Sequence, residues 1–343
     1  MKQFELGGVV RPNIWNLKPY SSARDEFTGS EGIFLDANEN PYGDRNRYPD
    51  PHQRKLKAEL GKRKGIPAEN IFIGNGSDEV IDLVYRIFCE PGKDKVILCP
   101  PTYGMYAVSA NINNVGIIEI PLNSEFQLDI DEILKHEVKC IFVCSPNNPT
   151  GNRLENICRL LQNFHGIVVV DEAYIDFSLD DTHLKKIFDH PNLIIMQTFS
   201  KAWALASARV GVAYASEEII RLMDKTKPPY NVSAFNQQEA LKALQEEDLY
   251  EKRVSEILQQ RHYLEKQLIE LEIVNKIYPS NANFLLAEVA DADEIYNLLV
   301  EKKIITRNRN SQIANCIRIT VGTPEENRAL IEEMKNIKLE IRN

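Results

Sequence analysis

The sequence lacks an apolar run long enough to cross a membrane. No stretch of its 343 residues approaches the roughly 20 consecutive apolar residues that a bilayer-spanning helix needs. Residues 1–10 also lack the charged, apolar and small-residue segments that make up a secretory signal. We therefore expect a cytoplasmic protein.

A basic excess is missing as well. The chain has 41 Lys and Arg residues against 50 Asp and Glu residues, a formal net charge of −9. Proteins that bind nucleic acid normally carry a positive surplus that neutralises the phosphates. A nucleic-acid partner is therefore not expected, although a local basic pocket for a small anion is compatible with this composition.

The cysteines show no pairing pattern. None of the six belongs to a C-x-x-C pair, and no histidine spacing is typical of zinc, so no metal is predicted. Four lie in or beside apolar segments, where cysteines are usually buried and reduced: Cys89, Cys99, Cys140 and Cys144.

Repeats and low-complexity tracts are absent too, and the length suggests a large domain joined to a smaller one. We predict an irregular arm over residues 1–34, which joins the small domain or a dimer partner. A large domain is predicted over residues 35–235 and a small α+β domain over residues 236–343.

Apolar runs of strand length alternate with helical stretches between about Leu35 and Met223. This alternation predicts an α/β fold with a mainly parallel sheet and helices on both faces. The clearest runs are uniformly apolar, as in strands that are buried on both sides. They cover residues 71–73, 95–99, 140–144, 167–170 and 193–196.

The texture changes at about Asn236. Residues 236–272 are rich in Glu, Gln, Leu and Lys at helical spacing, which predicts one long helix that bridges the two domains. After it we predict a strand near residues 284–289, a helix near 291–302, a strand near 316–321 and a last helix near 324–337.

Chemically useful residues follow each predicted strand of the large domain, where ligands bind in open α/β sheets. Residues 74–79 precede a helix whose N-terminus suits an anion, although a plain strand-to-helix turn explains them equally well. Tyr103, after two prolines, is placed to stack on a planar ring or is a surface aromatic.

Three later strand ends add stronger candidates. Asn148 lies between prolines in a rigid loop, and Asp171 ends a buried strand, where a carboxylate is costly unless it is paired. Asp171 either caps the next helix or opposes a cationic ring nitrogen. Lys201 follows the next strand, and Arg209, eight residues further on, suits a bidentate phosphate contact.

Together these segments supply what a planar phosphorylated aldehyde cofactor needs: an amine, an acid, an anion cradle, an arginine and an aromatic ring. In this combination the sequence resembles the fold-type I pyridoxal-phosphate-dependent aminotransferases over nearly its whole length. The matching segments occur in that family's order: residues 36–41, 48–50, 74–79, 148–151, 171–174 and 200–201, then Arg209.

The resemblance is greatest to the histidinol-phosphate aminotransferase branch. The segments Asn38-Glu39-Asn40-Pro41 and Tyr48-Pro49-Asp50, with Arg307 and the strand that contains Arg318, carry this likeness. It implies conversion of L-histidinol phosphate and 2-oxoglutarate to 3-(imidazol-4-yl)-2-oxopropyl phosphate and L-glutamate, by a ping-pong mechanism in histidine biosynthesis.

The resemblance also implies roles for single residues around pyridoxal phosphate. Lys201 is expected to hold the cofactor as a Schiff base and to move the substrate's α-proton, while Asp171 keeps the ring nitrogen protonated. Asn148 and Tyr174 are expected to hydrogen-bond the phenolic oxygen, and Tyr103 to stack on the ring. The phosphate is expected to lie among Gly76, Ser77, Asp78, Ser200 and Arg209.

For the substrate, the resemblance implies contacts with Tyr20, Asn38, Arg307 and Arg318. Arginine forks suit both a phosphate and the carboxylates of glutamate. Arg309 lies two residues after Arg307, so either one, or neither, is the residue that contacts substrate. Tyr48 resembles a tyrosine that reaches the cofactor phosphate of a neighbouring subunit, which implies a homodimer with shared sites.

Related enzymes share the same cofactor core, so an aromatic-amino-acid aminotransferase and a threonine-phosphate decarboxylase are alternatives. A non-catalytic binding module of this fold is disfavoured because the acceptor lysine, Lys201, is present. A Rossmann dehydrogenase is disfavoured because the glycine pattern that begins at Gly74 has Glu79 where its last glycine belongs.

Overall fold

The structure, a computed structural model, describes residues 4–21, 32–178 and 182–341. Within these ranges the strands form a sheet of seven and a sheet of four. The strands are β1 Ile71–Asn75, β2 Lys95–Leu98, β3 Gly116–Glu119, β4 Cys140–Cys144, β5 Ile167–Asp171, β6 Leu193–Thr198, β7 Val210–Ala215, β8 Val274–Tyr278, β9 Phe284–Val289, β10 Arg307–Asn308 and β11 Cys316–Thr320.

Helices connect these strands. The α-helices are α1 Leu6–Val9, α2 Pro12–Trp15, α3 Arg54–Lys64, α4 Ser77–Phe88, α5 Met105–Ile112, α6 Ile130–Ile133, α7 Ile157–Asn163, α8 Glu217–Thr226, α9 Ala234–Gln245, α10 Glu247–Ile269, α11 Ala292–Glu301 and α12 Pro324–Ile341. Short 3₁₀ turns occupy Ala68–Asn70, Ile175–Phe177, Leu184–Phe188 and Ala206–Ala208.

The larger sheet has the strand order β1-β7-β6-β5-β4-β2-β3. Its strands run parallel except β7, which is antiparallel to both β1 and β6. Apolar side chains are buried on both faces under helices, where full burial of a Val, Leu or Ile side chain contributes roughly 1.5–3 kcal/mol. The predicted α/β fold with a mainly parallel sheet is therefore confirmed.

The parallel direction brings the predicted functional residues to one edge of the sheet. In the register, Cys144 at the end of β4 pairs with Asp171 at the end of β5, and Asp171 pairs with Met196 in β6. The loops that follow β1, β2, β4, β5 and β6 consequently open on the same side.

The smaller sheet is antiparallel, with the order β10-β11-β9-β8. Helices α10, α11 and α12 pack on it around a separate core that includes Leu264, Ile295, Ile317 and Met334. The strands predicted near residues 284–289 and 316–321, and the helices predicted near 291–302 and 324–337, are confirmed.

The single long helix predicted over residues 236–272 is wrong. Two helices, α9 and α10, are separated at Glu246, whose φ of −98° and ψ of 49° are not helical. Packing explains the break, because α9 contacts α3 beside the large sheet, whereas α10 contacts β8, β9 and α12 of the small one. Strands β3, β7, β8 and β10 were not predicted.

The four cysteines expected in apolar segments are free thiols and buried, as predicted. Cys316 is also buried, and Cys158 is exposed. Among the described residues, no helix combines the length and apolar character that a membrane crossing requires.

Candidate active site

A cavity of about 360 Å³ opens at the carboxyl edge of the large sheet, under the hairpin formed by β10 and β11. It gathers most of the predicted site residues: Ser77, Asp78, Tyr103, Asn148, Asp171, Tyr174, Ser200, Lys201, Arg209, Arg307 and Arg318. A larger cleft of about 740 Å³, around Phe126 and Tyr278, contains none of them.

Lys201 stands just beyond β6 and projects toward Tyr174. Its Nζ lies 5.4 Å from the centroid of the Tyr174 ring. The turn is fixed from both sides, because the Ser200 amide donates to Thr198 Oγ1 at 3.1 Å and the Ala204 amide donates to the Lys201 carbonyl at 3.1 Å. Partial desolvation, and then the nearby Arg318 charge, lower the pKa of Lys201. A lowered pKa increases the fraction of neutral, nucleophilic amine.

Asp171 is a buried carboxyl at the end of β5. The Tyr106 hydroxyl donates to its Oδ2 at 2.7 Å, and the Ala173 amide donates to its Oδ1 at 3.0 Å. Burial raises the pKa of Asp171 to about 6, and the two hydrogen bonds oppose that rise. A cation placed against this carboxyl would stabilise its charged form.

Tyr106 is a residue that the sequence reasoning missed. It is fully buried in α5, three residues after Tyr103, and its ring stacks on Phe142 with the centroids 5.0 Å apart. Burial, and then the Asp171 charge, raise the pKa of Tyr106 well above its usual value, so the hydroxyl stays a donor. The spacing from Tyr103 is the only sequence signal that could have indicated it.

Asn148 connects Tyr174 to the small sheet. Its Nδ2 donates to the Tyr174 hydroxyl at 3.4 Å, and Arg318 Nη1 donates to its Oδ1. Because Asn148 is the donor, the Tyr174 proton is available to a ligand in the cavity. Burial raises the pKa of Tyr174, which keeps that proton in place.

Gly76 and Arg209 form an anion cradle at the start of α4. Gly76 has φ +77°, and a Cβ added there would lie 2.6 Å from Arg209 Nη2. No side chain of the described residues caps α4, so its first amides and its dipole face the cavity. Arg209 Nη2 donates to Asp78 Oδ2 at 3.1 Å, which orients the guanidinium beside Ser77.

Tyr103 forms one wall of the cavity. Its hydroxyl donates to Asp78 Oδ1 at 3.2 Å, and its ring meets the Tyr106 ring edge to face at 5.5 Å. Burial, and then the charge of Asp78, raise the pKa of Tyr103 to about 12. The ring is thereby held as a flat surface against which a planar ligand can lie.

Tyr20, Asn38 and Tyr48 do not line this cavity in the single chain. Tyr20 is 75% exposed and lies with Pro51 in a separate surface cavity of about 350 Å³. Tyr48 is half exposed, and its ring stacks on Tyr230 with the centroids 4.4 Å apart. The predicted roles of these three residues in ligand binding remain predictions.

Further residues that were not predicted also line the cavity. Cys144, Ala173 and Thr198 do so at the ends of β4, β5 and β6. Arg309 lines it together with Arg307 and Arg318. Arg307 and Arg309, the two candidates for the substrate contact, therefore lie on the same wall.

These features fit pyridoxal phosphate. The uncapped start of α4 and the side-chain-free Gly76 leave room for a phosphate beside Arg209. Asp171 is buried where a protonated ring nitrogen would be its counter-charge, and Lys201 offers the amine. The same residues would hold the group at three points.

Comparisons with known proteins agree with this geometry. A family model described as aminotransferase class I and II matches residues 33–334. The chain is 53% identical to a histidinol-phosphate aminotransferase of Parabacteroides distasonis, over 98% of this chain and 99% of that protein. It is 51% identical to one of Cytophaga hutchinsonii, over 97% and 99%.

A solved structure shares the fold. The crystal structure of histidinol-phosphate aminotransferase from Sinorhizobium meliloti, in complex with pyridoxal-5'-phosphate, matches with a TM-score of 0.80 at 22% identity. The match covers 86% of this chain and 83% of that one.

Proposed function

Because the chain belongs to the class I and II aminotransferases and, within them, to the histidinol-phosphate aminotransferase family, we propose that it transfers the amino group of L-histidinol phosphate to 2-oxoglutarate. The products are 3-(imidazol-4-yl)-2-oxopropyl phosphate and L-glutamate, and the reaction belongs to histidine biosynthesis. The observation that carries the proposal is the convergence of Lys201, Asp171 and Arg209 in one cavity under a wall of arginines.

Pyridoxal phosphate is the cofactor in this proposal. When bound, it withdraws electrons from the substrate's α-carbon and carries the amino group between the two half-reactions. Lys201 would hold its aldehyde carbon, Asp171 would face its ring nitrogen, and Tyr103 would lie against the ring. Its phosphate would lie among Gly76, Ser77, Asp78, Ser200 and Arg209, where the helix start and the guanidinium both favour an anion.

The chain's own residues then control protons. Lys201 takes the proton from the substrate's α-carbon and returns it, a role that its lowered pKa favours at neutral pH. Asp171, ionised and paired, keeps the ring nitrogen protonated. Tyr174 donates its hydroxyl proton toward the cofactor's phenolic oxygen, and Asn148 orients that hydroxyl.

The arginine wall binds an anionic group of each substrate. Arg307 and Arg318 are cross-strand partners in the β10–β11 hairpin, so their side chains point to the same side. A phosphate and a carboxylate are both suited to such forks. One wall can therefore serve the phosphate of histidinol phosphate in one half-reaction and a carboxylate of glutamate in the other.

The test is an assay of the purified holoenzyme with 2-oxoglutarate and one of three amino donors. L-histidinol phosphate should give glutamate, whereas phenylalanine and threonine phosphate should react far more slowly. The Lys201→Ala protein is the control for background turnover. Turnover of phenylalanine without turnover of histidinol phosphate would contradict the proposal in favour of an aromatic-amino-acid aminotransferase, and carbon dioxide from threonine phosphate would favour the decarboxylase.

We also propose a homodimer in which Tyr48 reaches the cofactor phosphate of the second subunit. Large apolar side chains that precede Tyr48 in the sequence are strongly exposed in the single chain, including Ile33, Leu35 and Tyr42. Such side chains are typical of a surface that another subunit covers. Light scattering on the eluted protein should give twice the chain mass of 39.2 kDa. The cytoplasmic location expected from the sequence is kept with this proposal, and cell fractionation tests it.

A further inference from the structure

The hairpin of β10 and β11 presents three arginines to the cavity. Arg307 pairs with Arg318 across the strands. The Arg309 amide donates to the Cys316 carbonyl at 2.8 Å, which continues the pairing beyond β10. Since side chains alternate along a strand, Arg309 projects to the same face as Arg307. Like charges at neighbouring positions on one face are destabilising, so this arrangement calls for a ligand.

The intervening asparagines hold the hairpin from behind. Asn308 Nδ2 donates to Asp293 Oδ1 at 2.6 Å, and Asn310 Nδ2 donates to Asp293 Oδ2 at 2.7 Å. Both bonds anchor the hairpin to the first turn of α11. In the sequence Arg-Asn-Arg-Asn of residues 307–310, the arginines therefore face the cavity and the asparagines make structural contacts. The backbone fixes the position of Arg309.

The guanidinium of Arg309 has little to bind within the described part of the chain. Its Nε is buried and has no hydrogen-bond partner there, and Nη1 has only a long contact of 3.4 Å with Gln312 Oε1. Burial, and then the charges of Arg318 and Arg307, lower the pKa of Arg309 to about 10. A buried donor without a partner costs free energy that a bound acceptor would recover.

The charge of the cavity points the same way. Among the described residues, its lining has five cationic side chains but only two carboxylates, Asp78 and Asp171. Asp78 contacts Arg209 and Asp171 contacts Tyr106, so neither compensates the arginine wall. A single carboxylate is matched by one guanidinium fork. A phosphate monoester carries nearly two negative charges and three acceptor oxygens, which suits a third arginine.

From this geometry, and building on the proposed function, we infer that Arg309 is a specificity-determining residue that favours a doubly charged phosphate over a carboxylate as the anionic group of the substrate. Arg307 and Arg318 then provide the binding that both substrates share. Arg309 acts in the half-reaction with histidinol phosphate and contributes little in the half-reaction with glutamate.

The experiment compares the Arg309→Gln, Arg309→Lys and wild-type holoenzymes in separate half-reactions. With Arg309→Gln, the KM for histidinol phosphate should rise about tenfold or more, while the KM for glutamate changes less than about threefold, as expected for loss of one charge-assisted hydrogen-bonding group. Arg309→Lys should lie between, because it keeps the charge but loses the fork. Arg328→Gln is the matched control, because it removes the same charge from an exposed arginine that pairs with Glu325.

A second readout does not depend on the natural substrate. Ethyl phosphate and ethyl sulfate have the same shape but differ by about one charge above the second phosphate pKa of ~6. Both compounds are tested as competitive inhibitors of the glutamate half-reaction. The wild type should bind ethyl phosphate more tightly than ethyl sulfate, and Arg309→Gln should lose that preference. Equal losses for glutamate and histidinol phosphate, or an unchanged preference for ethyl phosphate, would overturn the inference. A different result is that the wild type fails to use histidinol phosphate while the Arg309→Gln protein still loses the preference for ethyl phosphate. That result would contradict the proposed function but not the role of Arg309.

Discussion

The guanidinium of Arg209 occupies the space that a side chain on Gly76 would need. A Cβ built on Gly76 would lie 2.6 Å from Arg209 Nη2 and 3.1 Å from its Cζ. Arg209 itself has φ +50°, so the contact joins two residues in left-handed or glycine-type backbone regions. Because Arg209 also binds Asp78, the guanidinium cannot retreat without losing that ion pair.

Gly76→Ala should therefore weaken cofactor binding. Gly76 has φ +77° and ψ 165°, a region that is essentially restricted to glycine, so the strain alone should lower the free energy of unfolding by about 1–3 kcal/mol. Displacement of Arg209 should raise the Kd for pyridoxal phosphate about tenfold or more. Fluorescence titration of the apoprotein measures the Kd. Gly104→Ala is the control, since Gly104 also precedes a helix, has a helical φ of −65° and has open space at its Cβ.

The strand ends were predictable because uniformly apolar runs stop abruptly at polar residues. The run of residues 167–170 ends at Asp171, and the structure buries both the run and the carboxyl. Parallel pairing then brings these ends together, a consequence of topology that the alternation of strands and helices already indicates. For Lys201, Asp171 and Arg209, the position in the cavity followed from the sequence.

The missed features depend on contacts between distant segments. Strand β7 was not predicted because its Gly211 and Ala213 are not typical strand formers. Glycine is required at 211 by a distant segment, since a Cβ there would lie 2.2 Å from the Ser77 amide nitrogen. Tyr106 and Asp171 are 65 residues apart in the sequence. The break at Glu246 lies among helix-favouring residues, and packing on two different sheets causes it.

Substitution of Lys201 should separate cofactor attachment from cofactor binding. Lys201→Ala should abolish the visible absorbance of the lysine-bound cofactor, because Lys201 is the one lysine among the described residues that line the cavity. Lys201→Arg keeps the positive charge and should also lack the band. Both proteins should still retain cofactor through Arg209 and the start of α4, which equilibrium dialysis can measure. An unaltered visible spectrum in Lys201→Ala would mean that another lysine holds the cofactor.

Tyr106→Phe should shift the pH dependence of cofactor binding upward. The Tyr106 hydroxyl opposes the burial that raises the pKa of Asp171 from 3.8 to about 6. Without it, that pKa should rise by about one further unit, since a hydrogen bond to a charged group is worth ~1.5–3 kcal/mol and one unit is ~1.4 kcal/mol. The Kd for pyridoxal phosphate, measured from pH 8 down to pH 5, should therefore begin to rise at a higher pH in Tyr106→Phe than in the wild type.

The same carboxyl makes the apoprotein less stable as pH rises. The folded pKa lies above the unfolded one, so the unfolded state binds fewer protons between about pH 4 and 6, and Asp171's contribution to stability falls across that window. A protonated ring nitrogen should remove the penalty in the holoenzyme. Tyr214→Phe is the control for Tyr106→Phe, because Tyr214 is also a buried tyrosine but does not contact Asp171. If both variants shifted the pH dependence of cofactor binding equally, the cause would be a general loosening of the core.

Mixed dimers should show whether Tyr48 serves the neighbouring site. If it does, Lys201→Ala and Tyr48→Ala damage sites contributed by different chains, and a dimer with one chain of each keeps one intact site. Random reassembly of equal amounts should recover about a quarter of wild-type activity, because half of the dimers are mixed and each has one working site of two. A mixture of Lys201→Ala with Arg209→Ala is the control. Both of these residues line the cavity of their own chain, so no mixed dimer has an intact site. Recovery in neither mixture would place Tyr48 outside the partner's site, and its ring would then serve only the packing against Tyr230 of its own chain among the described residues.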